Sequence, residues 1–229
     1  MSGFDLILFD CDGVLVDSEI IAAEVESKLL REAGFEISPE DMCIRFAGMD
    51  WKSILLAIEK ESDLPLSASL IDKSEKLLDA TLAKRVKIIE GVRFALSKIT
   101  EQRCICSNSS SHRLDLMLTK VGLKPYFEGH IYSAKDLGPD RTKPKPDIYL
   151  FGAQQFGVDP SRCLVIEDSV HGVHAARAAG MRVIGFTGGG HTYPTHADRL
   201  TDAGAETVIS RMNELPQMVD ALKNWTELA

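Results

Sequence analysis

The chain has 229 residues, 45% of them hydrophobic and 26% charged, with a formal net charge of −8 at pH 7. That length suits one large domain or a core with a smaller insert, and the balance of residue types argues against wholesale disorder and against a membrane protein. The acidic charge repels phosphate backbones and anionic lipid at long range, and no basic patch offsets it, so neither nucleic acid nor a membrane surface is an expected partner.

The first apolar run, Phe4–Phe9, reads as a strand and leads directly into Asp10-Cys11-Asp12-Gly13-Val14. Two carboxylates at i and i+2 on a strand-end loop can face one site, with glycine available for a tight backbone excursion. The same residues also suit a solvated turn or a helix cap. No basic segment followed by an apolar core opens the chain, so a cytoplasmic location is expected.

About seventy residues follow, 17–86, without a convincing strand and far longer than an ordinary connection. Their amphipathic patterns predict helices at Glu19–Ala33, Pro39–Phe46, Trp51–Glu61 and Ala68–Lys84, punctuated by Gly34, Gly48 and Pro65. Residues 17–86 are therefore expected to form a helical subdomain, with 1–16 and 87–229 as the core.

Further runs at Cys104–Ser107, Cys163–Ile166, Val183–Phe186 and Thr207–Ile209, with a shorter one at His130–Tyr132, alternate with helical stretches. This is the pattern of an α/β fold with a parallel sheet, in which ligands collect beyond the carboxyl ends of the strands. Ser107-Asn108-Ser109 follows one such strand and suits either phosphoryl oxygens or the cap of a helix over Ser111–Val121. Lys143-Pro144-Lys145-Pro146-Asp147 precedes a helix at Ile148–Phe156, and reads as a stiffly held cation or as a charged surface loop. Glu167-Asp168-Ser169 ends another strand and opens a small-residue helix for which Gly180 is a plausible stop; acids there also favour a helix dipole.

Each signal alone is weak, but their order along the chain resembles the haloacid dehalogenase superfamily. The resemblance is carried by D-x-D-G-V at 10–14, Ser107, Lys143 in K-P-x-P-D, and E-D-S-x-x-G-V-x-A-A-x-A-A-G-M at 167–181. It implies a Rossmann-like core with a helical cap, and a phosphatase forming an aspartyl-phosphate. Asp10 would be the nucleophile and Asp12 the acid–base group, with Ser107 and Lys143 positioning the phosphoryl group. Crowded acids and a phosphate dianion need cations, so Mg²⁺ is the expected cofactor, with Asp10, the Asp12 carbonyl and Asp168 as its expected ligands and Glu167 completing the metal site. Ser107, Asn108 and Lys143 would meet the phosphoryl oxygens.

In the cap, Arg45, Gly48, Trp51 and Lys52 are the candidates for contacting the rest of the substrate, although Arg45 and Lys52 also suit solvated helix faces and Trp51 also suits packing. The superfamily's sugar-phosphate mutases carry histidine, lysine and arginine at registers that hold Ala22, Ala47 and Trp51 here, which counts against a mutase. Asp12 argues against the superfamily's phosphonate hydrolases, leaving Lys28 as an exposed helical charge.

The expected reaction is hydrolysis of a small phosphomonoester, a sugar phosphate or a sugar-acid phosphate such as a phosphogluconate, by a monomer. The alternatives are a sugar-phosphate mutase and a non-catalytic binder of phosphorylated metabolites. His171 and His174, at i and i+3, lack further ligands and read as helix surface. Gly188-Gly189-Gly190-His191 reads as a flexible loop, and Tyr193 and His196 suggest no chemistry. The five cysteines, Cys11, Cys43, Cys104, Cys106 and Cys163, lack metal or redox spacing and read as apolar filler.

Overall fold

The computed structural model describes residues 3–46, 49–62, 64–138 and 140–225. Six strands form one parallel sheet in the order β3-β2-β1-β4-β5-β6, comprising β1 (Leu6–Phe9), β2 (Gln102–Ser107), β3 (Ile131–Ser133), β4 (Cys163–Glu167), β5 (Arg182–Phe186) and β6 (Thr207–Ile209). All the expected strands are present, with ends shifted by one or two residues, and the short run near His130 is the edge strand β3. The central strand β1 lies between β2 and β4, pairing Phe9 with Ile105 on one side and with Ile166 on the other.

A parallel sheet covered on both faces needs strands that are apolar throughout, and every residue of β1 and β4 is buried. Side chains alternate between two cores: Ile7 and Phe9 join one, Leu6 and Leu8 the other, the latter with Cys104, Cys106 and Cys163. All five cysteines are free and four are buried, as expected for apolar filler.

Between β1 and β2 run α1 (Glu19–Glu32), α2 (Pro39–Arg45), α3 (Trp51–Ser62) and α4 (Ser67–Arg85), followed by α5 (Val92–Lys98). Leu29, Leu30, Met42, Leu55, Ile58 and Leu82 of the first four share one apolar cluster with Ile7 and Phe9 of the sheet. The chain leaves and re-enters the sheet region at adjacent points, where Asp17 N–H donates to Lys87 O and Val16 bridges Ile88. A partly buried ion pair, Arg113 Nε to Asp79 Oδ1 at 2.7 Å, ties α4 to the later helix α6 (Ser111–Val121).

The remaining helices are α7 (Asp147–Phe156), α8 (Val170–Ala178), α9 (His196–Asp202) and α10 (Leu215–Trp225). Gly180, with φ +78°, lies just past the end of α8, and the Gly180 and Met181 N–H groups donate to carbonyls of its last turn, as expected for a helix stop. No described helix is long and apolar enough to cross a membrane.

Candidate active site

The carboxyl ends of β1, β2 and β4 bring three of the sequence signals to one place, and the loop before α7 supplies the fourth. Asp10 follows β1, and its backbone N–H donates to Ile166 O, which fixes it beside the end of β4. Lys143 is buried, and its Nζ lies 2.7 Å from Asp10 Oδ1 and 2.7 Å from Glu167 Oε1. Lys145, the alternative lysine of the same loop, is exposed.

Glu167 accepts bonds on both oxygens. Oε1 receives Lys143 and the Tyr149 hydroxyl at 2.8 Å, and Oε2 receives the Ser169 N–H and hydroxyl at 2.9 and 3.0 Å. Gly172 lies so close that an added Cβ would fall within 2 Å of this carboxylate, so the first turn of α8 requires glycine there. Glu167 thus sits in a tight, satisfied socket behind Lys143.

Asp12 is held by three hydroxyls. Ser18 donates to Oδ1 at 2.7 Å, while Ser107 and Ser109 donate to Oδ2 at 3.1 and 2.8 Å. Ser18 stands at the N-cap of α1, but its side chain does not cap that helix. Ser107, at the end of β2, also accepts the Ser109 N–H. The Asn108 side chain lies on the Lys143 backbone: Oδ1 accepts Lys143 N–H at 2.9 Å, and Nδ2 approaches Lys143 O at 3.4 Å. Its bond fixes the lysine loop to the end of β2.

Asp10, Glu167 and Asp168 each offer a carboxylate oxygen within 4.8 Å of the others, and all three are buried. Burial pushes the Asp10 carboxyl well above the ordinary value; Lys143 opposes this, while Glu167, Asp168 and Asp12 reinforce it. One ammonium cannot balance so many acids, so the net direction is upward. Burial likewise raises Asp168, against the pull of His191. For Glu167 burial acts in the same sense, but Lys143 and the bonds from Ser169 and Tyr149 overcome it and hold the carboxyl low. Lys143 keeps its proton despite burial because Asp10 and Glu167 face it. An oxygen-only donor set with surplus negative charge fits a hard dication such as Mg²⁺ and not a thiolate-seeking metal.

The loop after β5, expected to be flexible and without chemistry, reaches this site. His191 Nε2 lies 2.9 Å from Asp168 Oδ2, and His196 Nε2 lies 2.6 Å from the Asp168 backbone carbonyl. Gly13, with φ +70°, allows the close approach: an added Cβ would stand 1.8 Å from Asp168 Oδ2 and 2.7 Å from the His191 ring. The isolated histidine after three glycines carried no spacing signal, and its partner 23 residues earlier is visible only once β4 and β5 pair.

The described substrate-contact candidates of the inserted helices have local surroundings of their own. Arg45 is half-exposed and pairs with Glu61 at 2.8 Å, its guanidinium also lying over the Phe46 ring. Lys52 is exposed. Trp51 packs against the apolar core, with Nε1 3.4 Å from Leu70 O. Local pairing accounts for the Arg45 side chain and packing for that of Trp51. Gly48 and Ala47 lie outside the described residues. Lys28 is exposed near Glu32, and neither His171 nor His174 belongs to a metal-binding group among the described residues.

On α1, Glu19 and Glu26 are two turns apart and therefore share a face. Burial raises Glu19 to about 7, with Asp12 adding to it, and raises Glu26 to about 8, with Glu19 adding to it. Sequence periodicity marks them only as polar positions; in the structure Glu19 still reaches solvent and Glu26 is half-buried.

The haloacid dehalogenase-like hydrolase family model matches residues 7–186. The chain is 28% identical to the 6-phosphogluconate phosphatase of Escherichia coli over 98% of each chain. Among solved structures, it is 75% identical to a conserved haloacid dehalogenase-like protein of unknown function from Agrobacterium tumefaciens, with a TM-score of 0.93 over 96% of this chain and 99% of that one. It is 36% identical to a haloacid dehalogenase family hydrolase from Deinococcus radiodurans solved with bound phosphate and sodium, with a TM-score of 0.81 over 97% of each. With four acids, one buried lysine and a ring of serines at the carboxyl end of its parallel sheet, the chain belongs to the haloacid dehalogenase-like hydrolase family, in its phosphatase branch.

Proposed function

We propose that this protein hydrolyses a small sugar phosphate or sugar-acid phosphate through an aspartyl-phosphate on Asp10. The observation that carries the reading is the buried contact of Asp10 with Lys143, beside an Asp12 whose carboxylate is ringed by hydroxyls. A carboxylate oxygen of Asp10 attacks phosphorus and the ester P–O bond breaks. Asp12 gives its proton to the departing alcohol oxygen, since an alkoxide leaves poorly. Asp12 then takes a proton from water, whose oxygen attacks the same phosphorus and releases phosphate and Asp10.

Lys143 holds Asp10 in place and faces the charge that builds on the phosphoryl oxygens. Ser107 is placed to turn its hydroxyl from Asp12 to a phosphoryl oxygen. Glu167, whose oxygens already accept four bonds, supports Lys143. Asp10, the Asp12 carbonyl and Asp168 would hold Mg²⁺. Bound there, the ion would offset the repulsion between the acids and the phosphate dianion.

Residues 17–86 act in this reading as a cap that covers the ester and excludes water. A small metabolite fits beneath such a cap better than a protein surface does. The extended similarity to a 6-phosphogluconate phosphatase supports a phosphorylated sugar acid as the first candidate.

The test is phosphate release across sugar, sugar-acid and short-chain phosphates, with Mg²⁺ or chelator. Metal-dependent release, greatest on a sugar or sugar-acid ester, is expected. An isomeric product without free phosphate would turn the reading to a mutase, and binding without turnover would turn it to a non-catalytic receptor.

A further inference from the structure

We infer that His191 is a positioning residue for the metal-binding carboxylate of Asp168, and that the loop after β5 is part of the metal site's framework. The inference rests on the reading that Asp10 and Asp168 bind Mg²⁺. Its basis is the contact of His191 Nε2 with Asp168 Oδ2 at 2.9 Å, between side chains only 12% and 5% exposed.

The His191 ring has no competing polar contact. Its Nδ1 is buried without a hydrogen-bond partner and faces the backbone of Gly189, where an added Cβ would lie 2.7 Å away. A buried imidazole with one free nitrogen is unfavourable unless the other nitrogen makes a bond worth keeping. Here that bond goes to Asp168.

The loop is also anchored. Gly190 N–H donates to Asp17 Oδ1 at 2.8 Å, and Thr192 Oγ1 donates to Thr187 O at 2.8 Å. The glycines permit this close course, since a Cβ on Gly190 would come within 3.0 Å of the Asp17 carboxylate. At the start of α9, where this loop ends, His196, stacked on Tyr193 with ring centroids 4.7 Å apart, meets the Asp168 backbone carbonyl. One segment therefore grips both the main chain and the side chain of the residue.

The terminal torsion of an aspartate is broad, so an unanchored carboxylate must be ordered when a metal binds. His191 fixes Oδ2, and in this reading Oδ1, which no described residue hydrogen-bonds, is the oxygen left for a metal. Outer partners of this kind typically change metal affinity by about 10- to 100-fold.

The experiment is calorimetric titration of metal-free protein with Mg²⁺, comparing wild type, His191→Ala, His191→Gln and Asp168→Asn, with thermal unfolding to confirm folding. Asp168→Asn is expected to lose binding and His191→Ala to weaken it by about tenfold or more. His191→Gln, whose side-chain amide can donate to the same oxygen, should recover most of the affinity. His191→Ala binding like wild type while Asp168→Asn does not, or Gln failing as badly as Ala, would overturn the inference. If Asp168→Asn also binds like wild type, the metal-site reading itself fails and takes the role of His191 with it.

Discussion

Lys143 Nζ lies 2.7 Å from Asp10 Oδ1, although 133 residues separate them in the chain and both side chains are buried. The contact joins the first sequence signal to the third and fixes which lysine of the K-P-x-P-D loop serves the site. It also makes the lysine structural. Removing it leaves Asp10 and Glu167 buried without their counter-charge, an uncompensated arrangement that typically costs about 3–5 kcal/mol. Lys143→Met is therefore expected to lower stability by that order in chemical denaturation, and to reduce kcat by about 10²-fold or more. Unchanged stability would mean that the acids are not ionised against this lysine.

Asp12, with its three hydroxyl donors, is held where a proton can be passed to a leaving oxygen and later taken from water. Asp12→Asn should slow turnover by about 10²- to 10⁴-fold. On a substrate with a good leaving group, which needs no acid, the first step should survive and the phosphoenzyme accumulate. A pre-steady-state burst of leaving-group release from an aryl phosphate, absent with an alkyl phosphate, would show this.

The upward push on Asp10 and Asp168, from burial and neighbouring acids, bears on metal binding. Groups raised in this way lose their protons at higher pH than ordinary carboxyls, so a dication competes with protons for them. Apparent Mg²⁺ affinity is therefore expected to rise with pH above the ordinary carboxylate range. Calorimetric enthalpies should depend on buffer ionisation with a sign that marks proton release, and buffer-independent enthalpies would contradict this.

Glu26 gives a stability prediction of the same kind. Its carboxyl is raised to about 8 by burial, with Glu19 adding to the effect, from an ordinary value of 4.5. The folded state thus binds more protons than the unfolded state between those values, so this group's contribution favours folding at low pH and is lost as pH rises through the window. Glu26→Gln should gain stability relative to wild type between pH 4.5 and 8. The gain should be on the order of 1–2 kcal/mol, discounted because the side chain is partly exposed. Denaturation curves at the two ends of the range provide the check.

Strands and acids were legible in the sequence because both are local. Asp10 and Glu167 each adjoin an apolar run, and parallel pairing brings strand ends together whatever the loops do. The inserted helices were legible from periodicity, with ends off by about a residue. What escaped depended on packing between distant segments. Ser18 resembles a helix cap, yet its hydroxyl turns to Asp12. Asn108 resembles a phosphate donor, yet its amide holds the Lys143 backbone. Tyr149 is one apolar helix position among several until α7 docks and brings its hydroxyl to Glu167. Arg45 stood out as a cation near a loop glycine, but Glu61, 16 residues away and on the facing helix, takes its charge. His191 had neither spacing nor a nearby partner in the chain to mark it.

The account depends most on Asp10 becoming phosphorylated. The direct measurement is rapid acid quenching of wild type, Asp12→Asn and Asp10→Asn during turnover of a labelled aryl phosphate with Mg²⁺, followed by peptide mapping. The account predicts hydroxylamine-labile label on the peptide containing Asp10, more of it in Asp12→Asn and none in Asp10→Asn. Full turnover by Asp10→Asn, or label on another residue, would contradict it.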